Sequence, residues 1–142
     1  MAKQKPAEEL SVRSAIVELN TANITEADLQ TFIAKQIHIW NNTDADDRLV
    51  NMGEIYTDNV VFFDHEGSVS GKTELNERIT QLQYKFDGLK FSLDKIDSSY
   101  NVVRYYWNYG PSSNPELISG MDLIILEQGK IRSLNVFVDH LP

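Results

Sequence analysis

The sequence predicts an α+β domain in which N-terminal helices pack against an antiparallel sheet. Three observations predict it. Helical periodicity dominates up to Phe86, with one short strand inserted; strand signals alone fill the rest; and the last three strands carry apolar residues on both faces. Helices gathered first and a strand meander last argue against βαβ winding, which alternates the two.

The chain has 142 residues, which fits one domain with a core of its own. It contains no cysteine, so disulfides, thiolate nucleophiles and Cys-based metal sites are excluded. Residues 1–9 lack the apolar core of a signal peptide, and no apolar run approaches the roughly 20 residues of a membrane span. The expected setting is cytoplasmic. The net charge is −8 and the basic residues are scattered, which argues against nucleic acid as a partner. Glycine-rich loops of the GxGxxG or P-loop kind are absent, and three scattered histidines do not suggest a metal site, so neither cofactor nor metal is expected.

Residues 1–22 are polar, with Val12, Ile16 and Leu19 on one side of a notional helix. They read as an arm or a short docked helix preceding a single domain over 23–142. The first clear helix begins at Thr25. Thr25 and Asp28 approximate a capping box, with Ile24 and Leu29 at the positions of a hydrophobic staple. Leu29, Phe32, Ile33, Gln36, Ile37 and Trp40 then follow the helical period. A second helix is expected over about 44–56, with Leu49, Met52 and Tyr56 on its inner face. The β-branched and aromatic run 59–64 reads as a strand, and Glu66-Gly67 and Gly71 bracket a tight connection. A third helix over about 72–86 carries Leu75, Ile79, Leu82 and Phe86.

Strands are expected at about 89–97, 101–109, 116–127 and 130–139. Val103, Tyr105, Trp107 and Tyr109 share one face, yet Val102 and Tyr106 occupy the other. Ile118, Ile124 and Leu126 oppose Leu117, Met121, Leu123 and Ile125, and Leu134, Val136 and Val138 oppose Ile131 and Phe137. A sheet with one wet face alternates cleanly. Three helices cover only one face, so the other is expected to meet a second copy of the chain.

The order of elements and several motifs resemble the nuclear transport factor 2-like superfamily, and within it the SnoaL-like group. The resemblance rests on Leu49 with Ile55-Tyr56-Thr57-Asp58-Asn59-Val60, then Phe63-Asp64-His65-Glu66-Gly67 with Gly71 opening a helix. It continues through Trp107 with Gly110, Gly120-Met121-Asp122, Glu127-Gln128-Gly129-Lys130-Ile131 and Phe137-Val138-Asp139. The resemblance implies a conical fold with a strongly curved sheet, a deep pocket between helices and sheet, and dimerisation through the sheet. The superfamily includes isomerases, dehydratases, epoxide hydrolases, polyketide cyclases and members that only bind, so fold alone does not assign function.

Two acids stand out. Asp64 ends the first strand and matches the general-base aspartate of the ketosteroid isomerases; as a plain structural residue it would cap the turn. Asp122 lies in a strand otherwise filled with Ile, Leu and Met, where an unpaired carboxylate costs several kcal/mol. It matches the protonated aspartate that donates to an oxyanion in those isomerases. The isomerases also need a tyrosine on the first helix. Here Gln36 or its neighbours fall at that place, and no tyrosine occurs on the helix. The Arg placed between two aspartates of the epoxide hydrolases is likewise missing. Trp40, Tyr56 and Trp107 are expected as pocket walls, with Phe86 in the core. A two-residue loop at Gln128-Gly129 would set Asn135 opposite Asp122 as a further ligand contact; a bulged three-residue loop would set Leu134 there. The expected function is binding of a small, largely apolar molecule, with a cofactor-free isomerase, lyase or cyclase as the alternative, Asp64 acting as base and Asp122 as acid.

Overall fold

The structure, a computed structural model, describes residues 25–140, so the arm expected over 1–22 lies outside the described residues. Helix α1 (Glu26–Asn41) starts where Thr25 accepts the backbone N–H of Asp28 at 3.1 Å. Helix α2 (Ala45–Ile55) is capped by Asp44, which accepts from Asp46 and Asp47. Then follow β1 (Tyr56–Asp64), β2 (Gly67–Ser70), α3 (Lys72–Lys85), β3 (Lys90–Ser99), β4 (Val102–Gly110), β5 (Ile118–Glu127) and β6 (Lys130–His140).

The fold class is α+β, with helices packed on a curved sheet of six strands in the order β2-β1-β6-β5-β4-β3. Every pairing is antiparallel except β1 with β6, which is parallel, so the sheet is mixed. The segment read as a tight connection after Glu66 contains β2, a four-residue hairpin partner of β1. Four residues with no apolar alternation gave no strand signal.

The inner face of the sheet and the facing helices form the core. Ile33, Met52, Leu75, Ile79, Ile124, Ile131 and Leu134 are fully enclosed. The inner stripe of α2 differs from expectation by one position. Arg48, Met52 and Ile55 are buried, while Leu49 is 38% exposed. The reason is polar. The Arg48 guanidinium donates to the Asn76 side chain (2.8 Å) and carbonyl (3.2 Å), the Asn42 carbonyl (2.7 Å), Gln83 (2.8 Å) and Thr80, so α2 turns this residue toward α3.

Asn41, the last residue of α1, pins the helix to the sheet edge. Its amide accepts from the Phe91 N–H (2.7 Å) and donates to the Phe91 carbonyl (2.9 Å), as a neighbouring strand would. This covers part of an otherwise open edge and sets Trp40 against Phe91.

The β5–β6 hairpin turns through Gln128 and Gly129, both at positive φ, with Glu127 paired to Lys130. That is the two-residue connection favoured by right-twisted strands. A bulge at Arg132 then shifts the register, so that Ile131 and Leu134 both point inward. Val136 therefore stands opposite Asp122, in place of either residue expected from the loop alone.

Candidate functional site

A cavity of about 320 Å³ lies between α1, α3 and the inner face of β4, β5 and β6. Its wall is aromatic: Trp40, Phe62, Phe86, Phe91, Trp107 and Tyr109 all line it. The rings brace one another. Phe91 stacks on Tyr109 at 4.0 Å and meets Trp107 and Trp40 edge-on at 5.3 and 5.9 Å. Such pairs hold an apolar wall in one shape.

Asp122 reaches this cavity and is 8% exposed. Strand register explains what surrounds it. Tyr105 lies directly across from Asp122, and Trp107 lies across from Gly120. A Cβ at Gly120 would overlap the Trp107 ring and the Phe137 carbonyl. Because residue 120 has none, the indole lies flat on β5 and its Nε1–H reaches Asp122 Oδ1 at 2.8 Å. The Tyr105 hydroxyl donates to Oδ2 at 2.5 Å.

The hydrogen bonds continue away from the acid. Gln36 Nε2 donates to the Tyr105 hydroxyl at 3.2 Å, the Tyr56 hydroxyl donates to Gln36 Oε1, and Trp40 Nε1 donates to the Tyr56 oxygen at 3.0 Å. Burial pushes the Tyr105 hydroxyl far above its ordinary pKa, and the charge of Asp122 adds to the effect. Burial likewise raises Tyr56. Asp122 itself is pushed up to about 7 by burial, while the Tyr105 and Trp107 hydrogen bonds pull the other way. Desolvation wins because both partners are neutral.

Asp64 stands at the mouth of the same cavity, and both its oxygens are engaged. Oδ1 accepts the Glu66 N–H at 2.8 Å, capping the β1–β2 turn; Oδ2 takes Arg78 at 2.6 Å. Arg78 also holds Glu66 at 2.8 Å, and Lys85 approaches Glu66 at 4.0 Å. These ion pairs raise the pKa of Arg78, the Asp64 hydrogen bond contributing most, and lower that of Glu66. His65 lies beside them at the mouth, 3.6 Å from Glu66.

Of the side chains expected in the pocket, Trp40, Trp107, Asp64 and Asp122 line the cavity. Tyr56 is 1% exposed and stands behind Gln36, which it orients. Asn135 does not line the cavity. The bulge at Arg132 turns it to the outer face, where its amide donates to the Leu123 carbonyl and to Ser133. Phe86 lines the cavity as well as packing on Tyr109. Gln36 and Tyr105 are the residues whose roles the sequence reading missed. Gln36 on an apolar helical stripe was the available signal, since a buried amide needs polar partners.

Among the described residues, a six-stranded curved sheet carries three helices on one side, with Asp122 reaching the aromatic cavity between them. The family model for the SnoaL-like domain matches residues 33–134, and the chain belongs to that family. No curated protein matches. Among solved structures, a SnoaL-like family protein from Agrobacterium tumefaciens, provisionally described as an isomerase, aligns at a TM-score of 0.73 with 23% identity, covering 78% of this chain and 97% of that one. An NTF2-like protein of unknown function from Cytophaga hutchinsonii aligns at 0.60 with 21% identity, covering 83% and 93%. A protein from Sinorhizobium meliloti provisionally described as a polyketide cyclase aligns at 0.64 with 10% identity, covering 79% and 98%. At these identities the likeness is one of fold.

Proposed function

We propose that the chain is a small-molecule pocket protein of SnoaL-like type that binds a small, largely apolar ligand. The cavity of about 320 Å³, walled by aromatic rings with Asp122 as its deep polar group, carries this reading. Apolar walls with few polar groups are the usual form of small-molecule sites. The chain has two tryptophans, and both line the cavity, so occupancy is expected to change the intrinsic fluorescence. Titration with small aromatic hydrocarbons and alcohols should give saturable changes that Val136→Phe, which fills the cavity, removes. A panel that leaves both fluorescence and melting temperature unmoved would remove the proposal.

The second reading is a cofactor-free isomerase, lyase or cyclase with Asp64 as base and Asp122 as acid. The perturbed protonation of Asp122 supports it. The engagement of both Asp64 oxygens does not, because a base must first be released from Arg78 and the turn.

Dimerisation through the outer sheet face belongs to the same proposal, as does a cytoplasmic setting. No described helix is long and apolar enough to cross a membrane. Phe63 and Phe137 are 45% and 53% exposed, and Met121, Leu123 and Ile125 share the outer face with no helix over them among the described residues. Covering this face would hide the kind of contiguous apolar patch that monomers seldom expose. Sedimentation at micromolar concentration is expected to give twice the 16.2 kDa chain mass, and Leu123→Arg is expected to give the monomer. A wild-type monomer would end this part of the proposal.

A further inference from the structure

We propose that the floor of the cavity recognises a protonated amine carried on a small apolar body, with the ammonium on Asp122 and the hydrocarbon against Trp40, Phe91 and Trp107. The inference rests on the reading of the cavity as a small-molecule site and names the ligand class.

The first support is the direction of the hydrogen bonds. An indole N–H only donates, so Trp40 makes the Tyr56 oxygen an acceptor, leaving the Tyr56 proton for Gln36. The amide of Gln36 must then present Oε1 to Tyr56. Turned over, it would leave the Tyr56 proton without an acceptor in a position only 1% exposed. With Oε1 so fixed, Nε2 faces Tyr105, whose oxygen accepts and whose proton goes to Asp122. Trp107, a second indole, also only donates to Asp122. Each hydrogen bond in the chain from Trp40 to Asp122 thus donates toward the acid. The network offers two donors to a group that accepts best as a carboxylate, and its remaining lone pairs serve whatever enters the cavity.

The second support is the missing counter-charge. No Lys, Arg or His among the described residues pairs with Asp122, and no cation contributes to its titration. The cationic side chains of the cavity wall, Arg78 and Lys85, are at the mouth beside Asp64 and Glu66. A buried carboxylate held by neutral donors alone is best completed by a cation from outside.

The third is the wall itself. Aromatic faces attract an ammonium group, most strongly away from water. Three such rings stand around the same cavity as the acid. A neutral carbonyl could take a hydrogen bond from Asp122 only with the acid protonated.

The two alternatives respond oppositely to pH. Benzylammonium, benzyl alcohol and acetophenone are titrated into the purified full chain by calorimetry at about pH 8 and about pH 5.5, on either side of the Asp122 transition. Benzylammonium is expected to bind at least about tenfold more tightly than benzyl alcohol at the higher pH, and to lose that preference at the lower one. Asp122→Asn is expected to abolish the preference while benzyl alcohol still binds; the wild-type comparison stands alone should that variant not fold. Equal binding of the amine and the alcohol overturns the ammonium assignment and leaves the pocket reading intact. Acetophenone preferred, and preferred more at low pH, overturns it in favour of an acid donor. Binding of none of the three overturns both.

Discussion

Arg48→Met is expected to lower the unfolding free energy by about 3 kcal/mol or more, read as a fall in the urea midpoint. The direction is not obvious from burial alone. Replacing a buried ion pair by a packed apolar side chain is often neutral or stabilising, because two desolvated charges disappear together. Arg48 has no such pair. Its direct partners are the Asn42 and Asn76 carbonyls and the Asn76, Gln83 and Thr80 side chains, all neutral. Methionine fits the channel but leaves the side-chain oxygens of Asn76 and Gln83 without their donor, and each such group costs about 1–3 kcal/mol. Gln83 also donates to the Trp40 and Asn42 carbonyls, so the loss spreads from α2–α3 to the end of α1, where the cavity wall begins. Val50→Ala, at a position 77% exposed on the same helix, is the control and is expected to stay within about 0.5 kcal/mol. If Arg48→Met matched the control, the guanidinium would not be the joint between these helices.

Arg48 also marks the boundary of what a single sequence reveals. The three helices were legible because apolar residues recur at the helical period, and the last four strands because alternating apolar runs are separated by Gly, Asn and Ser. Burial of an arginine runs against that logic. Its side-chain partners lie 28 to 35 residues away on another helix, and periodicity carries no information about them. The same limit explains Asn135. Its facing direction depends on a one-residue bulge at Arg132, and a shift of one residue exchanges the two faces of a strand. Asp122 was legible for the opposite reason: an acid within Met-Asp-Leu-Ile-Ile-Leu conflicts with its neighbours wherever the strand lies. Its partners were partly legible too. Tyr105 and Trp107 share the inner face of β4, but only the register with β5, and the absent side chain of Gly120, bring both to one carboxylate.

That carboxylate carries the second large effect. The pKa of Asp122 rises in the folded chain from an ordinary 3.8 to about 7, burial being the main cause. For an acid shifted upward, folding favours the protonated form. The stabilising contribution is therefore fully present below about pH 4 and is lost as pH rises through about 7. Its full size is on the order of 4 kcal/mol. Asp58 and Glu66 oppose it, since Lys72 and Arg78 hold their pKa values down and their contributions grow as pH rises through the acid range. A raw stability profile mixes these trends, whereas the difference between wild type and Asp122→Asn cancels the acids both share. Asparagine does not titrate, although its amide sets one donor against Tyr105 or Trp107 and so adds a penalty that does not vary with pH. Urea unfolding at about pH 5 and about pH 8 is expected to show wild type losing on the order of 2–3 kcal/mol relative to the variant between the two. A difference that stays flat would mean that Asp122 titrates in the folded protein as it does in the unfolded chain. Its burial would then be relieved by water or by movement of β5, and the strain placed on the cavity floor by an unpaired charge would be absent.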